Sequence, residues 1–178
     1  MAQSSPKSGN QPIQQLQTVV DLLETPALAR MYAHVLQHGP VTVSRLVDEL
    51  DIPQGTAYDY IEKLKTPGLV EKARDQRPYE YDAEPISLTL STNGETQTIT
   101  PALIAAVARR EADEDINVYI ERHGLDGLAI ALEYAYEFVD GTVNNRIMAR
   151  ELDLSPLEAE IILQALEPVA TEYASAGT

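Results

Sequence analysis

Apolar residues recur at helical spacing along most of this chain, and the clearest pattern lies in residues 41–70. Two helical stripes there are separated by the polar turn Asp51-Ile52-Pro53. The stripes consist of Leu46, Val47 and Leu50, and of Ala57, Ile61 and Leu64. Because Thr42 stands where an N-cap is needed and Pro53 tolerates a helix start, the pattern predicts a helix, a tight turn and a second helix.

A two-stranded hairpin is predicted directly after the second helix. Pro67-Gly68 ends that helix, and Leu69-Val70 begins a strand that continues through residues 71–74. A polar turn spans residues 75–78, and residues 79–82 form the return strand. A helix-turn-helix followed by such a wing is a DNA-reading module, so residues 25–82 are predicted to be a winged helix-turn-helix domain.

Eight polar side chains are candidates for DNA contact, five on the outer face of the second helix and three in or beside the wing. They are Gln54, Thr56, Tyr58, Asp59 and Lys63 on the helix, and Lys72, Arg74 and Arg77 on the wing. Thr56 is expected on phosphate and Gln54 and Tyr58 near bases, while the wing cations clamp the adjacent backbone. The alternative is the solvated face of a winged helix that binds protein, with ordinary charge on the wing.

The same segment resembles the winged-helix transcription regulators of the MarR, ArsR and TrmB type. The resemblance covers roughly residues 25–82 and is carried by Pro53-Gln54-Gly55-Thr56-Ala57-Tyr58-Asp59, then Ile61, Leu64 and Gly68-Leu69-Val70. It implies a winged-helix fold and the regulation of transcription through DNA binding. The second reader position is often basic in these families, whereas Asp59 accepts a hydrogen bond from cytosine but repels phosphate.

Charge is unevenly distributed along the chain. With 13 basic and 28 acidic side chains the net charge is −15, which is unusual for a protein that binds nucleic acid. Residues 25–82 carry −2, whereas residues 83–178 carry −12. An acidic chain with few Lys and no Cys resembles proteins of extreme halophiles, which indicates a regulator of the archaeal, haloarchaeal type. An acidic protein with a basic partner is the alternative.

Several classes of protein are disfavoured by what the sequence lacks. The absence of Cys excludes disulfides, thiolate zinc sites and Cys nucleophiles. There is no apolar run of about 18 residues, and the N-terminus MAQSSPKSGNQP lacks the apolar core of a signal peptide, so a cytoplasmic protein is expected. We find no Gly-rich phosphate loop, metal constellation or nucleophile elbow, and His34, His38 and His123 lack metal-ligand spacing. Neither an enzyme nor a cofactor is therefore expected.

An apolar stripe precedes the winged domain and consists of Ile13, Leu16, Val20 and Leu23. It has no obvious place in the core of that domain. Residues 1–24 are therefore expected to comprise a flexible N-terminus and a dimerisation helix. A homodimer is also what two recognition helices require if they are to reach successive major grooves, roughly 34 Å apart.

Residues 83–178 are predicted to form a β-hairpin followed by a helical domain for assembly or sensing. Residues 86–90 alternate like a strand, and Asn93-Gly94 is a hairpin turn signal. Helices are expected at about residues 101–110 and 113–123, and a third is capped by Asp126. Tyr134 and Tyr136 are candidates for an effector pocket or a dimer seam, with plain core packing as the alternative.

An internal repeat relates residues 39–64 to residues 141–166 without gaps, with seven identities in 26 positions. Residues 144–166 therefore also predict a helix-turn-helix, whose second helix begins at Ser155-Pro156. Glu158, Glu160 and Glu167 are expected on its surface, where they would repel phosphate. A structural or dimerising role is favoured over DNA contact.

The predicted fold is mainly α with a small β-wing, a winged helix-turn-helix domain followed by an α-helical C-terminal domain. The predicted function is a sequence-specific, dimeric regulator of transcription that binds double-stranded DNA. The alternative is a winged-helix protein-interaction subunit, such as a basal transcription or plasmid-maintenance accessory factor, without strong DNA binding. The sequence specifies neither the operator nor a small-molecule effector.

Overall fold

A computed structural model describes residues 11–174 and divides them into two compact units, with the boundary after Ile86. The N-terminal segment expected to be flexible falls mainly on residues 1–10, outside the described residues. Within residues 11–174 no helix is both long enough and apolar enough to cross a membrane. Each unit is described in turn, beginning with the unit that contains the predicted wing.

The first unit is a winged helix preceded by one additional helix. Its elements are α1 Gln11–Glu24, α2 Pro26–His38, β1 Val41–Thr42, α3 Val43–Leu50, α4 Gln54–Lys65, β2 Val70–Arg74 and β3 Glu80–Ala83. The strands form an antiparallel sheet in the order β1-β3-β2, in which Val41 pairs with Tyr81 and Lys72 also pairs with Tyr81 from the other side. The helix-turn-helix and wing predicted from the sequence are both present.

Helix α3 is held at both ends by identifiable hydrogen bonds. The Thr42 hydroxyl accepts from the backbone N–H of Arg45 at 3.2 Å, which is the expected N-cap. Arg30 Nη2 donates to the carbonyl of Leu50 at 2.9 Å and so satisfies one of the last carbonyls of α3. Pro53 is the N-cap of α4 instead of its first helical residue, because the regular helix begins at Gln54.

The core of this unit contains the apolar stripes of the three winged-domain helices. Members with at most 1% exposure include Leu28, Met31, Tyr32, Val35, Leu46, Ala57, Ile61 and Leu64. Ile52 in the turn is half-buried, as expected for a residue that fills the gap between α3 and α4. The opposite face of α4 is left for solvent or for a partner.

The second unit is a hairpin followed by helices. Its elements are β4 Leu88–Thr92, β5 Glu95–Ile99, α5 Pro101–Ala108, α6 Glu114–Val139, α7 Asn145–Leu152 and α8 Pro156–Ala174. Asn93 and Gly94 both have positive φ in the predicted hairpin turn. Helix α8 packs against α5, α6 and α7, and its buried residues include Ala159, Ile162 and Leu166.

Two boundaries and one cap in the second unit differ from the expectation. The strand starts at Leu88 and not at Ile86, whose backbone N–H is bonded to the Tyr32 hydroxyl instead. Helix α5 stops two residues earlier than expected, at Ala108. Gly124 breaks α6 into two helical segments as expected, with a non-helical φ of 72° and ψ of −179°, but the expected cap Asp126 lies inside the second segment.

The internal repeat is a repeat of structure as well as of sequence. Helices α7 and α8 begin 102 residues after α3 and α4. Asn144 caps α7 as Thr42 caps α3, with its side chain accepting backbone N–H groups. The residues after α3 and α7, Asp51 and Asp153, are both left-handed, with φ of 52° and 55°. Residues 144–166 therefore do form a second helix-turn-helix.

Candidate nucleic-acid interface

Helix α4 presents the predicted reading side chains on the face that points away from the core. Gln54, Tyr58, Asp59 and Lys63 are exposed, and Thr56 is half-buried. Tyr58 is 49% exposed, which leaves much of its aromatic ring accessible on the surface of α4. Of the five, Thr56, Asp59 and Lys63 share one depression on the solvent surface of α4, whereas Gln54 and Tyr58 lie outside it.

An open depression runs along this surface and contains charges of both signs. It is lined by Thr56, Asp59, Tyr60, Glu62, Lys63 and Thr66. Lys65 Nζ lies 3.8 Å from the Glu62 carboxylate and offsets that negative charge. Lys63 is not in an ion pair of this kind among the described residues. The helix surface is thus close to neutral, in contrast to the acidic chain as a whole.

The wing places two of its three candidate cations around one aromatic ring. Lys72 Nζ lies 3.9 Å from the centroid of the Tyr79 ring, and Arg77 Cζ lies 5.8 Å from it. Such cation–π contacts hold the charged groups in defined positions while they stay in solvent. Arg74 is exposed on β2 and contacts no ring in this way. Tyr79 is a wing residue that sequence reasoning missed, and strand register does not reveal its contact, because Lys72 pairs with Tyr81.

Tyr81 shows that the wing strand and α4 share one environment. Burial raises the pKa of its hydroxyl, and the nearby groups Glu62, Tyr58 and Tyr79 raise that pKa further. Two of these three groups belong to α4 and the third to the wing. Tyr58 on α4 and Tyr79 in the wing therefore both lie near Tyr81.

Helix α3 is tied to α2 by a small ionic cluster that was not predicted. Arg45 Nε donates to Glu49 Oε1 at 2.6 Å, and His34 Nε2 lies 2.5 Å from Glu49 Oε2. The hydrogen bonds from Arg45 and then from His34 lower the pKa of the Glu49 carboxyl. The His34 ring also lies 4.6 Å from that of His38. Only the fold brings α2 and α3 together, so no local pattern could have revealed this cluster.

The acidic residues of the second helix in the second helix-turn-helix differ in their exposure and partners. Glu160 and Glu167 are exposed as expected, but Glu158 is half-buried. Glu158 Oε1 lies 2.6 Å from His123 Nε2 and 3.7 Å from Arg122 Nη1, so it links α8 to α6. The Glu158 carboxylate is therefore engaged in packing between α6 and α8.

The remaining candidates from the sequence have local structural partners. Asp113 caps α6 by accepting from the backbone N–H groups of Asp115 and Ile116. The Tyr134 hydroxyl donates to Glu151, which raises the pKa of Tyr134 to about 12. Burial raises the pKa of Tyr136. Within residues 11–174 no group of three or more His, Asp or Glu side chains is arranged to hold a metal ion.

Two family models match different parts of the chain. Residues 25–87 match the family described as sugar-specific transcriptional regulator TrmB, and residues 110–175 match a family of unknown function, DUF7437. No curated protein and no solved structure matches the chain. The resemblance to regulators of the TrmB type is therefore confirmed over the winged helix, which supports DNA binding and the regulation of transcription. A likeness to the MarR and ArsR families and a halophilic, archaeal origin stay predictions.

Proposed function

We propose that this chain is a homodimeric transcription regulator that reads a specific sequence of double-stranded DNA with α4 and grips the flanking backbone with its wing. The observation that carries this proposal is the exposed set on α4, Gln54, Tyr58 and Lys63, beside wing cations gathered on Tyr79. Side chains of this kind on the second helix of a helix-turn-helix read base edges in the major groove.

The assignment of roles follows the chemistry of each side chain. Gln54 offers both a donor and an acceptor to a base edge, and Tyr58 adds apolar contact and a hydroxyl. Thr56 is proposed to contact a phosphate oxygen, and Asp59 to accept from the amino group of a cytosine. Lys72, Arg74 and Arg77 add phosphate contacts that fix the orientation of the protein without reading sequence. No catalytic step is part of this proposal.

Helix α1 is proposed as the dimer contact. Three residues of its predicted stripe, Ile13, Leu16 and Val20, are 60%, 40% and 43% exposed, and Leu23 is half-buried. The opposite side of α1 is buried at Val19 and Leu22. The helix thus has one apolar side in the winged unit and another without a partner among residues 11–174, which favours a second copy.

Residues 83–178 are proposed to serve assembly or sensing, because their charge of −12 opposes contact with phosphate. The word sugar in the description of the matched family is not transferred to this chain. That match covers residues 25–87, which are the winged helix, and leaves the second unit outside it.

The test is selection of duplexes from a random DNA library by the purified full-length protein, followed by anisotropy measurements on the selected sequence. Wild type is expected to enrich one motif with two half-sites. Tyr58→Ala is expected to weaken binding of that motif about tenfold or more, since loss of a base contact costs about 1–3 kcal/mol. Glu160→Ala is the matched control, because Glu160 occupies the place of Tyr58 in the second helix-turn-helix.

A second candidate function is supported by the two carboxylates in the α4 depression. Asp59 and Glu62 line the same surface as Lys63, and such mixed charge also suits a protein partner. This candidate is a winged-helix interaction subunit without strong DNA binding. It would be favoured if the library yields no motif and if Tyr58→Ala and Glu160→Ala bind DNA as weakly as wild type.

A further inference from the structure

The two helix-turn-helix elements have the same geometry but opposite surface chemistry. A shift of 102 residues places Glu160 where Tyr58 stands on α4, and Ile161 where Asp59 stands. Leu157, one residue into α8, is 65% exposed. A carboxylate and two alkyl side chains give little to a DNA backbone, so this copy of the module is suited to a different partner.

Four residues form one continuous strip along the exposed side of α8, which we call the α8 strip: Leu157, Glu160, Ile161 and Gln164. Their spacing of three and four residues places them on the same helix face. Ile161 is 36% exposed, and Gln164 Nε2 donates to Glu160 Oε1 at 3.4 Å. The strip is therefore apolar at Leu157 and Ile161 and acidic at Glu160.

A groove between α8 and the first half of α6 continues the apolar surface. Val118 and Tyr119 line its α6 side, and Leu157, Ile161 and Ile162 line its α8 side. The groove is preformed, because Glu158 on α8 pairs with Arg122 and His123 on α6. Within α6 the Tyr119 ring packs on His123, 4.4 Å between centroids. Such a groove accommodates two apolar side chains that project from one face of a partner helix.

We propose that the α8 strip and this groove bind an amphipathic helix of another protein, in which an apolar stripe is flanked by basic side chains. The basic flank is argued from charge complementarity. Asp115 lines the groove and Glu160 lies in the α8 strip, and neither carboxylate is in an ion pair among residues 11–174. Arg122 also lines the groove, but it is paired with Glu158. The half of the chain that carries them has a net charge of −12, so a second acidic copy is a poor occupant.

This inference does not depend on DNA binding by α4, because it concerns residues of the second unit alone. It assigns the duplicated element a role in recruitment, in which one helix-turn-helix contacts a target and the other holds a partner protein. A negative result in the DNA experiment would not contradict this inference, and a negative result in the peptide experiment would not contradict the DNA proposal.

The test uses the full-length protein and three synthetic helical peptides with the same Leu and Ile stripe, flanked by Arg, by Gln or by Glu. Binding is followed by anisotropy in low salt and in 1 M potassium chloride, at which the Debye length is about 3 Å. Methyl shifts in the NMR spectrum locate the contact. Shifts are expected at Val118, Leu157 and Ile161, while the exposed α1 residues Ile13 and Leu16 serve as internal controls.

The Arg-flanked peptide is expected to bind at least tenfold more tightly than the Glu-flanked one in low salt, with a smaller difference in high salt. The double variant Leu157→Ser, Ile161→Ser is expected to lose at least tenfold in affinity for it. Ile130→Ser is the matched control, because Ile130 is 40% exposed on α6 and does not line the groove. Thermal unfolding checks that each variant is folded.

Three outcomes would overturn the proposal. The first is equal affinity for the Arg-flanked and Glu-flanked peptides, or no binding of either. The second is binding by the double variant at the affinity of wild type. The third is self-association of wild type that the double variant abolishes, since the occupant of the strip is then a second copy of this chain.

Discussion

Tyr32 connects α2 to the segment that follows the wing. Its hydroxyl donates to the carbonyl of Glu84 at 2.6 Å and accepts from the backbone N–H of Ile86 at 2.8 Å, and its ring is fully buried. A single side chain thus satisfies a donor and an acceptor of a segment without regular structure.

Removing that hydroxyl is expected to destabilise the first unit. Tyr32→Phe keeps the ring but leaves two backbone groups without this partner, which costs about 1–3 kcal/mol. Chemical denaturation of the two proteins measures the difference. Tyr58→Phe is the control, since Tyr58 is exposed and its substitution should leave the unfolding free energy unchanged. Equal stability of Tyr32→Phe and wild type would show that water replaces the hydroxyl without cost.

Tyr134 gives a prediction about pH. Its hydroxyl donates to the Glu151 carboxylate, and this bond, followed by desolvation and nearby carboxylates, raises its pKa from 10.0 to about 12. A raised pKa in the folded state contributes stability that is fully present below about pH 10 and is lost as pH rises towards 12.

Glu151→Gln removes the charge that raises this pKa. The variant is expected to titrate Tyr134 closer to the ordinary value of 10.0, as measured by NMR of ring-labelled tyrosine. The ring signal that is missing from the spectrum of Tyr134→Phe is the signal of Tyr134. An unchanged titration in Glu151→Gln would mean that the hydrogen bond contributes less than burial does.

At the scale of elements, α1 is the clearest case of a helix with two apolar sides. The prediction is that the triple variant Ile13→Ser, Leu16→Ser, Val20→Ser is monomeric where wild type is dimeric, because burial of these side chains supplies the main gain from association. Light scattering and sedimentation measure the mass. Leu90→Ser is the control, since Leu90 is 39% exposed on β4 in the other unit.

A monomeric wild type would contradict the role of α1. If wild type is a dimer and the triple variant remains one, the contact lies elsewhere and α1 has another occupant. The DNA affinity of the monomeric variant is also informative, because two linked half-sites bind much more tightly than one. A loss of motif binding together with the loss of the dimer would connect the two properties.

The two helix-turn-helix elements show that the geometry and the function of a helix pair depend on different residues. The cap, the left-handed Asp and the buried Ala57 and Ala159 are common to both, so both pairs of helices fold alike. The two elements differ in their outward side chains, which are the polar candidates for DNA contact on α4 and the α8 strip on α8. Geometry is set by the inward residues and the turn, and function by the outward ones.

At the scale of the whole molecule, the division of charge predicts the response to salt. With few Lys and a net charge of −15, the chain gains little from long-range attraction to phosphate. Counterion release also yields little when bulk salt is already high. We therefore expect specific DNA binding to persist in molar potassium chloride and to depend on Tyr58 more than on Lys63.

Binding measured across a salt series with Tyr58→Ala and Lys63→Ala tests this expectation. Lys63→Ala should reduce the slope of log affinity against log salt concentration by about the amount expected for one phosphate contact, and it should matter little in molar salt. Tyr58→Ala should weaken binding at every salt concentration. Wild-type binding only below about 0.2 M salt, with a slope near −0.9 for each phosphate contact, would contradict a salt-adapted reading surface.

Much of the local architecture followed from the sequence alone. The helix-turn-helix, the wing, the Asn93-Gly94 hairpin and the second helix-turn-helix each depend on neighbours within a few residues, such as caps, helical stripes and turn signals. The exposure of the five helix candidates, complete on α4 except for the half-buried Thr56, follows from the same periodicity because the opposite side of α4 is apolar. Their contact with DNA is a prediction that the proposed experiments test.

Tertiary structure decided the features that join distant parts of the chain. The Glu49 cluster joins residues 15 apart, Tyr32 meets a backbone N–H 54 residues away, and Glu158 meets His123 across 35 residues. It also decided that Lys72 and Arg77 gather on Tyr79, and that Leu157 and Ile161 stay in solvent while Ile162 is buried. Periodicity defines which side of a helix is apolar, but only packing against other elements determines how much of that side is covered.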